Sequence, residues 1–500
     1  MFPGPPSSLL TGNIDEMIKA GGFSEELFFN LHGKYGDIVR FFIFPTMLNL
    51  SIADPDVVAE LYKKGRDRPL ETYMFLWYLG KENLLFQHGP IVKQMRLIYG
   101  KMIVERSQLD KVHETTIHEF RTKLERWATR PDAKQPVALD MFAELGPAIY
   151  DIMGQVMFNG PWLATERGQR VYKLHKYLIE NVNRWLLWAG MPVGPIFHPA
   201  YVEYLLTMRE WRSMVGGLLD ERAKAMREDP AKYADDQTAM TTILRAKTED
   251  GRPFFSRERA ISTMCGFLNG AYDTTHATSF WLLFNLAKNP EYQTKLLDEF
   301  RRVNLPAEPS VDELRNCELL HAVIMESMRM RSTVPVNQRL CLDEDMELGG
   351  YVVPKGTNVN IPNGVIAKDP RWFGADPEKF RPERFLGDSP DAERARKSWM
   401  MFGAHTRQCI GLIFALAELK SMLHTVLTRI TVELEDPNED GAFKIEAGVN
   451  QPLRHFKFIL RLRDPRKVDE ENNLRWWMSQ VSQLEQFQPP AAAGNVARQA

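Results

Sequence analysis

The stretch Met-Phe-Gly-Ala-His-Thr-Arg-Gln-Cys-Ile-Gly, at residues 401–411, is the most informative part of this sequence. Phe402 stands seven residues before Cys409, Arg407 two before it and Gly411 two after it, and an apolar run follows at 412–417. We expect a loop that delivers one thiolate and then enters a buried helix. Positive charge and unpaired N–H groups keep a thiolate ionised, and the first turn of a helix supplies both. The alternative is a buried, inert cysteine, the commoner case in an apolar segment.

This stretch resembles the haem-binding signature of the cytochrome P450 superfamily, Phe-x-x-Gly-x-Arg-x-Cys-x-Gly. Phe402, Arg407, Cys409 and Gly411 match it, whereas His405 stands where the family usually has glycine. That glycine normally lies in a tight bend, where a side chain can cost free energy. The resemblance implies that Cys409 is the axial ligand of the iron of haem b, and that Phe402 and Arg407 belong to the cofactor-binding loop. A thiolate ligand pushes electron density toward the iron and favours O–O cleavage.

Residues 257–289 predict one long helix, because no proline interrupts them and Asn289-Pro290 ends them. Near its middle, the stretch Gly-Ala-Tyr-Asp-Thr-Thr at 270–275 places polar groups in an apolar helix, where each is costly without a partner. A threonine there can simply bond back to the carbonyl group four residues earlier. The stretch also resembles the family's Ala/Gly-Gly-x-Asp/Glu-Thr-Thr motif, with the order of the small residues varied. That resemblance implies that Asp273 and Thr274 are catalytic and deliver protons during oxygen activation.

Two more arginines are implied as cofactor contacts. Arg96 stands where the family has an arginine that reaches a haem propionate, but Val92 replaces the tryptophan that the family usually has four residues earlier. Lys93 is a candidate substitute for that tryptophan, and a plain surface arginine is the alternative for Arg96. Residues 333–339 match a family strand whose final arginine, here Arg339, contacts a propionate.

Glu326 and Arg329 are three residues apart and therefore share one face of a predicted helix. Such pairs are common on surfaces and contribute about 0.3–0.5 kcal/mol, so the motif alone is weak. Its position between residues 273–275 and Cys409, with Arg384 following, resembles the family's buried Glu-Arg-Arg triad. We expect these three residues to act structurally.

The composition excludes several classes of protein. A formal net charge of −2 gives no indication of nucleic-acid binding. The four cysteines include no C-x-x-C pair, which argues against zinc or iron–sulfur sites, and they are too few for a disulfide scaffold. No signal peptide and no run of 18 apolar residues is present. The opening Met-Phe-Pro-Gly-Pro-Pro is similar to the proline-rich hinge that follows the membrane anchor of many eukaryotic family members. The expected location is cytoplasmic or peripherally membrane-associated.

The fold that we expect is mainly α with a small β region, in the cytochrome P450 fold, as a single large domain over residues 1–466. Residues 38–53 predict an antiparallel hairpin, because two strand patterns are bounded by turn residues. Residues 467–500 predict a C-terminal extension. Its apolar side chains at 474–487 recur at helical spacing, and the last residues, from 489, have the composition of a disordered tail.

The resemblance implies a haem-dependent monooxygenase that inserts one atom of O2 into an apolar small organic substrate. The aromatic-rich residues 69–87 either line the pocket or pack in the core. Electrons are expected from a separate donor, of the flavin-reductase or ferredoxin type, because no flavin or iron–sulfur segment is visible. Two alternatives stay open. One is a same-fold isomerase, dehydratase or peroxygenase that needs no electron donor, and the other is a non-catalytic haem-binding sensor.

Overall fold

The computed structural model describes residues 2–20, 24–43, 47–64, 77–128, 136–160, 162–189, 198–341 and 344–463. The α-helices in these ranges are α1 (Ile14–Lys19), α2 (Glu25–Tyr35), α3 (Pro55–Lys64), α4 (Pro90–Ile103), α5 (Arg106–Ala128), α6 (Met141–Phe158), α7 (Glu166–Ala189), α8 (Pro199–Glu228), α9 (Ala239–Arg245), α10 (Arg257–Lys288), α11 (Glu291–Arg302), α12 (Val311–Arg315), α13 (Glu318–Met330), α14 (Asn363–Ala367), α15 (Pro370–Phe373), α16 (Pro390–Ser398) and α17 (Leu412–Leu427). The strands are β1 (Ile38–Ile43), β2 (Met47–Ile52), β3 (Val137–Asp140), β4 (Val336–Leu340), β5 (Met346–Leu348), β6 (Tyr351–Val353), β7 (Asn358–Pro362), β8 (Ile430–Leu434), β9 (Phe443–Glu446), β10 (Val449–Pro452) and β11 (Lys457–Leu462). The expected class, mainly α with a small β region, is confirmed.

Helix α10 is the central element of the helical core. Its start is capped by Ser256, whose side chain accepts a hydrogen bond from the backbone N–H of Arg259, and Asn289 follows its last residue. The predicted helix over 257–289 is therefore confirmed. It packs against α6, α8, α13 and α17, and most of its side chains are buried.

Within the described residues, the strands form four small sheets. A four-stranded sheet has the order β1-β2-β7-β4, and a three-stranded sheet has the order β3-β11-β8. Antiparallel pairing of β1 with β2, Ile38 opposite Ile52, confirms the hairpin predicted at 38–53. Strands β9 and β10 form a separate hairpin, whose two-residue turn holds Ala447 and Gly448 at φ 48° and 82°. Positive φ at both positions is typical of the turn that matches strand twist.

The Glu-Arg-Arg triad ties α13 to the short 3-10 helix Pro382–Phe385. The Glu326 carboxylate accepts two hydrogen bonds from Arg329, at 2.7 and 2.9 Å, and is 3.0 Å from Nε of Arg384. It also accepts a bond from the backbone N–H of Arg381 at 2.7 Å. All three triad side chains are buried, which confirms the predicted structural triad.

Some expectations fall beyond the described residues. The predicted tail helix at 474–487, the whole extension 467–500, and Tyr73 and Phe75 of the aromatic stretch are among them. Within the described ranges, no helix has both the length and the hydrophobicity that crossing a membrane requires.

Candidate active site

Cys409 lies between a short 3-10 helix, His405–Arg407, and the start of α17. Its backbone N–H donates to the carbonyl oxygen of Phe402 at 2.8 Å, which closes the loop upon itself. Its side chain is exposed, whereas Cys265, Cys317 and Cys341 are buried. The Cys409 thiol is therefore not buried, and the expected loop followed by a buried helix is present.

The bend before the cysteine uses two residues with positive φ. Gly403 has φ 66°, and His405 has φ 52°. The second value is the left-handed conformation that glycine adopts without steric cost. His405 thus adopts a left-handed backbone conformation at the position where the family usually has glycine.

Arg407 is buried and connects the cysteine loop to the segment before α4. Its guanidinium donates to the carbonyl oxygens of Leu84 at 3.3 Å and of Gln87 at 2.7 Å. The sequence suggested a fixed positive charge beside the thiolate, and the structure adds that this side chain holds two remote segments together.

Arg339, on β4, is buried and only partly bonded. One Nη donates to the carbonyl oxygen of Gln338 at 2.7 Å, and the guanidinium carbon lies 4.5 Å from the ring centroid of Tyr62. Its Nε is buried with no hydrogen-bond partner in the described residues. Burial, with Arg407 nearby, lowers the pKa of Arg339. A buried guanidinium with a spare donor suits a site for an anionic group.

Arg96, on α4, is half-buried and close enough to Cys409 for their charges to interact. Burial lowers the pKa of the Arg96 guanidinium, and Cys409 partly offsets that effect by attraction. Val92 is buried on the same helix and Lys93 is exposed.

One face of α10 is open although the helix crosses the core. The partly exposed or exposed positions in its middle are Gly266, Phe267, Gly270, Ala271 and Thr274. Their spacings of one, three, one and three residues place them on one stripe of a helix. A Cβ atom added to Gly270 would meet nothing within 4 Å. A Cβ atom added to Gly266 would collide with the Asn83 side chain, so the open stripe is the part around Gly270 and Ala271, and it is mostly apolar.

Asp273 and Thr274 adjoin in sequence but have different partners. The Thr274 hydroxyl donates to the carbonyl oxygen of Gly270 at 2.5 Å, so the back-bonding alternative applies to it in this structure. Asp273 is 2% exposed, and its Oδ1 accepts a bond from Gln451 at 2.9 Å. Burial and the nearby Glu446 raise the pKa of Asp273 to about 8, although the bond from Gln451 acts in the opposite direction. The acid therefore carries a proton at neutral pH.

The residues present fit haem b. An exposed thiol, a buried arginine with a spare Nε donor, and a half-buried arginine near the thiol match the iron and the two propionates of that cofactor. The open stripe of α10, where a side chain at Gly270 would meet no atom, leaves room beside a flat ring.

Two residues that contact the candidate site, Tyr62 and Gln451, were not predicted from the sequence. Tyr62 lies under the Arg339 guanidinium, and Gln451 is the partner of Asp273 from a position 178 residues away in the chain. Neither stands in a recognisable motif, so nothing in the local pattern could have indicated them.

Comparison with known proteins supports one family. The family model for cytochrome P450 matches residues 2–458. A tabersonine/lochnericine 19-hydroxylase of Catharanthus roseus is 24% identical over 461 residues, which cover 86% of either chain. Cytochrome P450 4V2 of Mus musculus is 35% identical over 215 residues, 42% of this chain and 40% of that protein. A putative cytochrome P450 136 of Mycobacterium tuberculosis (strain ATCC 25618 / H37Rv) is 30% identical over 253 residues, 51% of this chain and 50% of that protein. In the latter two matches, the chain spans about half the length of the relative or less.

Proposed function

Because the chain belongs to the cytochrome P450 family, we propose that it is a haem-dependent monooxygenase. It inserts one atom of O2 into an apolar small organic substrate, and the other atom leaves as water. The observation that carries this proposal is the exposed thiol of Cys409, the one cysteine of the four that is not buried, in the loop that opens α17. Haem b, the cofactor of the family, supplies the reduction and cleavage of O2 when it is bound.

The chain's own residues hold and orient that cofactor. Cys409 would ligate the iron through its sulfur, and the bond from its backbone N–H to the Phe402 carbonyl oxygen keeps its loop in place. Arg339 offers its spare Nε donor to one carboxylate, and Arg96 offers its guanidinium to another. Arg407 keeps the cysteine loop against residues 84–87.

Asp273 and Thr274 deliver protons. Asp273 holds a proton at neutral pH because it is buried, and it can give that proton up during the reduction of oxygen. Thr274, partly exposed on the open stripe of α10, presents a hydroxyl that can donate to oxygen once its bond to Gly270 breaks.

The substrate class follows from the surface that α10 offers. Phe267, Gly270 and Ala271 carry no polar side-chain atom, so a bound molecule is held mainly by apolar contact. Electrons come from a separate donor of the flavin-reductase or ferredoxin type. The protein is cytoplasmic or peripherally membrane-associated, and in the second case the exposed Leu9 and Leu10 offer apolar contact to a membrane surface.

Isotope-labelled O2 tests the reaction class. Apolar small molecules are first screened by the shift of the haem Soret band, and the binders are then incubated with donor protein and labelled O2. A monooxygenase yields a product with one labelled oxygen atom only when both donor and O2 are present. Product without a donor indicates an isomerase or dehydratase, product with peroxide alone indicates a peroxygenase, and binding without any product indicates a sensor. Each of these three results contradicts the proposal.

The ligand is tested separately by Cys409→Ser. The carbon monoxide complex of the reduced protein is expected to absorb at the long wavelength typical of thiolate-ligated haem, and Cys409→Ser should lose that band. Cys341→Ser, at a buried cysteine in the sheet region, is the matched control and should keep it. A normal spectrum in Cys409→Ser excludes Cys409 as the ligand.

Thr274→Ala is expected to leave substrate binding intact and to divert electrons to peroxide or excess water, because the hydroxyl that donates to oxygen is gone. The measurement is product formed per electron pair consumed. One acid–base group usually contributes ~100-fold or more to a rate, so we expect a decrease of at least roughly tenfold in this ratio. Thr275→Ala, at a neighbouring buried threonine, is the control and should stay coupled. Equal coupling in both variants contradicts the role of Thr274.

A further inference from the structure

The hairpin β9–β10 supplies the hydrogen-bond partner of the buried acid. The Gln451 amide nitrogen donates to Asp273 Oδ1 at 2.9 Å. The second oxygen, Oδ2, is buried and has no hydrogen-bond partner within the described residues. One oxygen of the carboxyl is thus held, and the other is available to carry the proton.

Gln451 is itself held in a fixed place through its neighbour Asn450. The backbone N–H of Asn450 donates to the Thr333 carbonyl oxygen at 2.9 Å, and its side-chain amide donates to the Ser332 carbonyl oxygen at 2.8 Å. Trp281, on α10, donates from its indole N–H to the Asn450 carbonyl oxygen at 3.0 Å. The hairpin is therefore attached to the same helix that carries Asp273, two turns further along.

The hairpin also contributes the charge that acts on the acid. Glu446, on β9, is the one carboxylate that raises the pKa of Asp273 in addition to burial. Its own side chain is 15% exposed and lies 2.8 Å from the Lys444 ammonium nitrogen. The other titratable groups near Asp273 are the hydroxyls of Tyr78 and Tyr272, which burial keeps neutral by raising their pKa well above the usual range.

We propose that the β9–β10 hairpin is part of the proton-delivery site, with Gln451 as the positioning residue of Asp273 and Glu446 as a second acidic group on the same hairpin. This inference rests on the proposed function. In the step itself, the O–H bond of the Asp273 carboxyl breaks and the proton passes to the oxygen under reduction. A hydronium ion from the solvent then returns a proton to the Asp273 carboxylate and leaves a water molecule, so the acid is restored at the end of each turnover.

The first test is an infrared titration of the haem-loaded protein without turnover. The C=O band of the protonated Asp273 carboxyl is assigned by its loss in Asp273→Asn and is followed against pH. Gln451→Leu removes a hydrogen bond to the charged form and should shift the titration midpoint up. Glu446→Gln removes a like charge and should shift the midpoint down. A role confined to packing does not predict shifts of opposite sign.

The second test is coupling of electrons to product. Gln451→Leu should lower product per electron pair severalfold, because the acid loses its fixed orientation. The matched control is Gln293→Leu, at an equally buried glutamine of α11 that bonds to the carbonyl oxygens of Leu286 and Val432, and it should stay coupled. Glu446→Gln, at a partly exposed position, keeps the test valid if Gln451→Leu loads too little haem.

The outcomes separate this inference from the proposed function. If Asp273→Asn stays fully coupled, the proposed role of Asp273 fails and the inference fails with it. If Asp273→Asn is uncoupled but Gln451→Leu behaves like Gln293→Leu, only the inference is overturned. The inference is also overturned if the midpoint of the Asp273 titration stays in place in Gln451→Leu and Glu446→Gln, or if it moves in the same direction in both variants.

Discussion

His405 holds the left-handed conformation, at φ 52°, in the loop that leads to Cys409. For an L-residue this conformation costs about 1–2 kcal/mol, and a glycine at the same position would relieve that strain. The greater freedom of glycine in the unfolded chain would cancel about 0.5–1 kcal/mol of this stabilisation. We therefore expect His405→Gly to stabilise the protein by about 0.5–1 kcal/mol.

The measurement is the thermal midpoint at a fixed haem load, which should rise by roughly 1 °C in a protein of this size. Gln408→Gly, at an exposed residue with φ −54° in the same loop, is the control and should lower the midpoint. If both variants lower it, the bend carries no strain at His405.

Glu418, nine residues after Cys409 on α17, is a buried acid whose two carboxyl oxygens have no hydrogen-bond partner among the described residues. Burial raises the pKa of Glu418 to about 8 from an ordinary value of 4.5. The folded protein therefore keeps a proton that the unfolded chain releases. The stabilisation that this proton provides is complete below pH 4.5 and is lost as pH rises to about 8.

Glu418→Gln removes this titration, because an amide is neutral at every pH in the window. The free energy of unfolding of the native protein should fall between pH 4.5 and 8 relative to that of the variant, by up to ~1.4 kcal/mol per pH unit. Unfolding in urea across this range measures it, with Glu435→Gln, at an exposed glutamate, as the control. Parallel pH profiles for Glu418→Gln and the native protein contradict the buried, protonated acid.

At the scale of elements, the Glu326 carboxylate joins α13 to the segment at 381–385. Removal of one partner of a buried charge pair costs about 3–5 kcal/mol, because the remaining charges are left uncompensated. Glu326→Ala should therefore give little folded, haem-loaded protein, as judged by soluble yield and the ratio of haem to protein absorbance.

The matched control for Glu326→Ala is Asp298→Ala on α11. Asp298 and Arg301 have the same spacing of three residues and a 2.9 Å ion pair, but both side chains are exposed. Loss of an exposed pair costs about 0–1 kcal/mol, so this variant should be loaded normally. Equal yields from the two variants would mean that the triad contributes no more than a surface network.

At the scale of the whole molecule, the sequence predicts an amphipathic helix at 474–487, outside the described residues. Such a stripe must be buried against the protein's own body, a second chain or a membrane, and Arg475 is the one basic residue on its polar side, whereas membrane-surface helices usually carry several. We rank docking on the protein's own body first. A chain that ends at residue 466 should melt at a lower temperature without a change in membrane association.

A chain that ends at residue 488 is the control for this truncation, because it removes the predicted disordered tail and keeps the predicted helix. It should melt like the full chain. If the chain ending at 466 is equally stable and differs only in oligomeric state or membrane association, the ranking is wrong.

Features specified by short stretches of sequence could be predicted before the structure was known. The length of α10, the hairpin of β1 and β2, and the loop that carries Cys409 follow from periodicity, turn residues and fixed spacing over fewer than about 35 residues. The family followed from the order of several such motifs, and the match over residues 2–458 agrees with it. Asp273 and Thr274 are visible in the sequence as polar groups in an apolar helix, and the resemblance to the family motif predicts their catalytic role.

The contacts of these residues, in contrast, are seen only in the tertiary structure. Gln451 bonds to Asp273, Arg407 to the Leu84 and Gln87 carbonyl groups, and Arg339 lies over Tyr62. Each partner is more than 170 residues away in the chain, so no local pattern could indicate it. Burial sets the protonation state of the acids. The same carboxyl group is ionised at a surface and protonated at neutral pH in the core, because transfer from water disfavours its charged form.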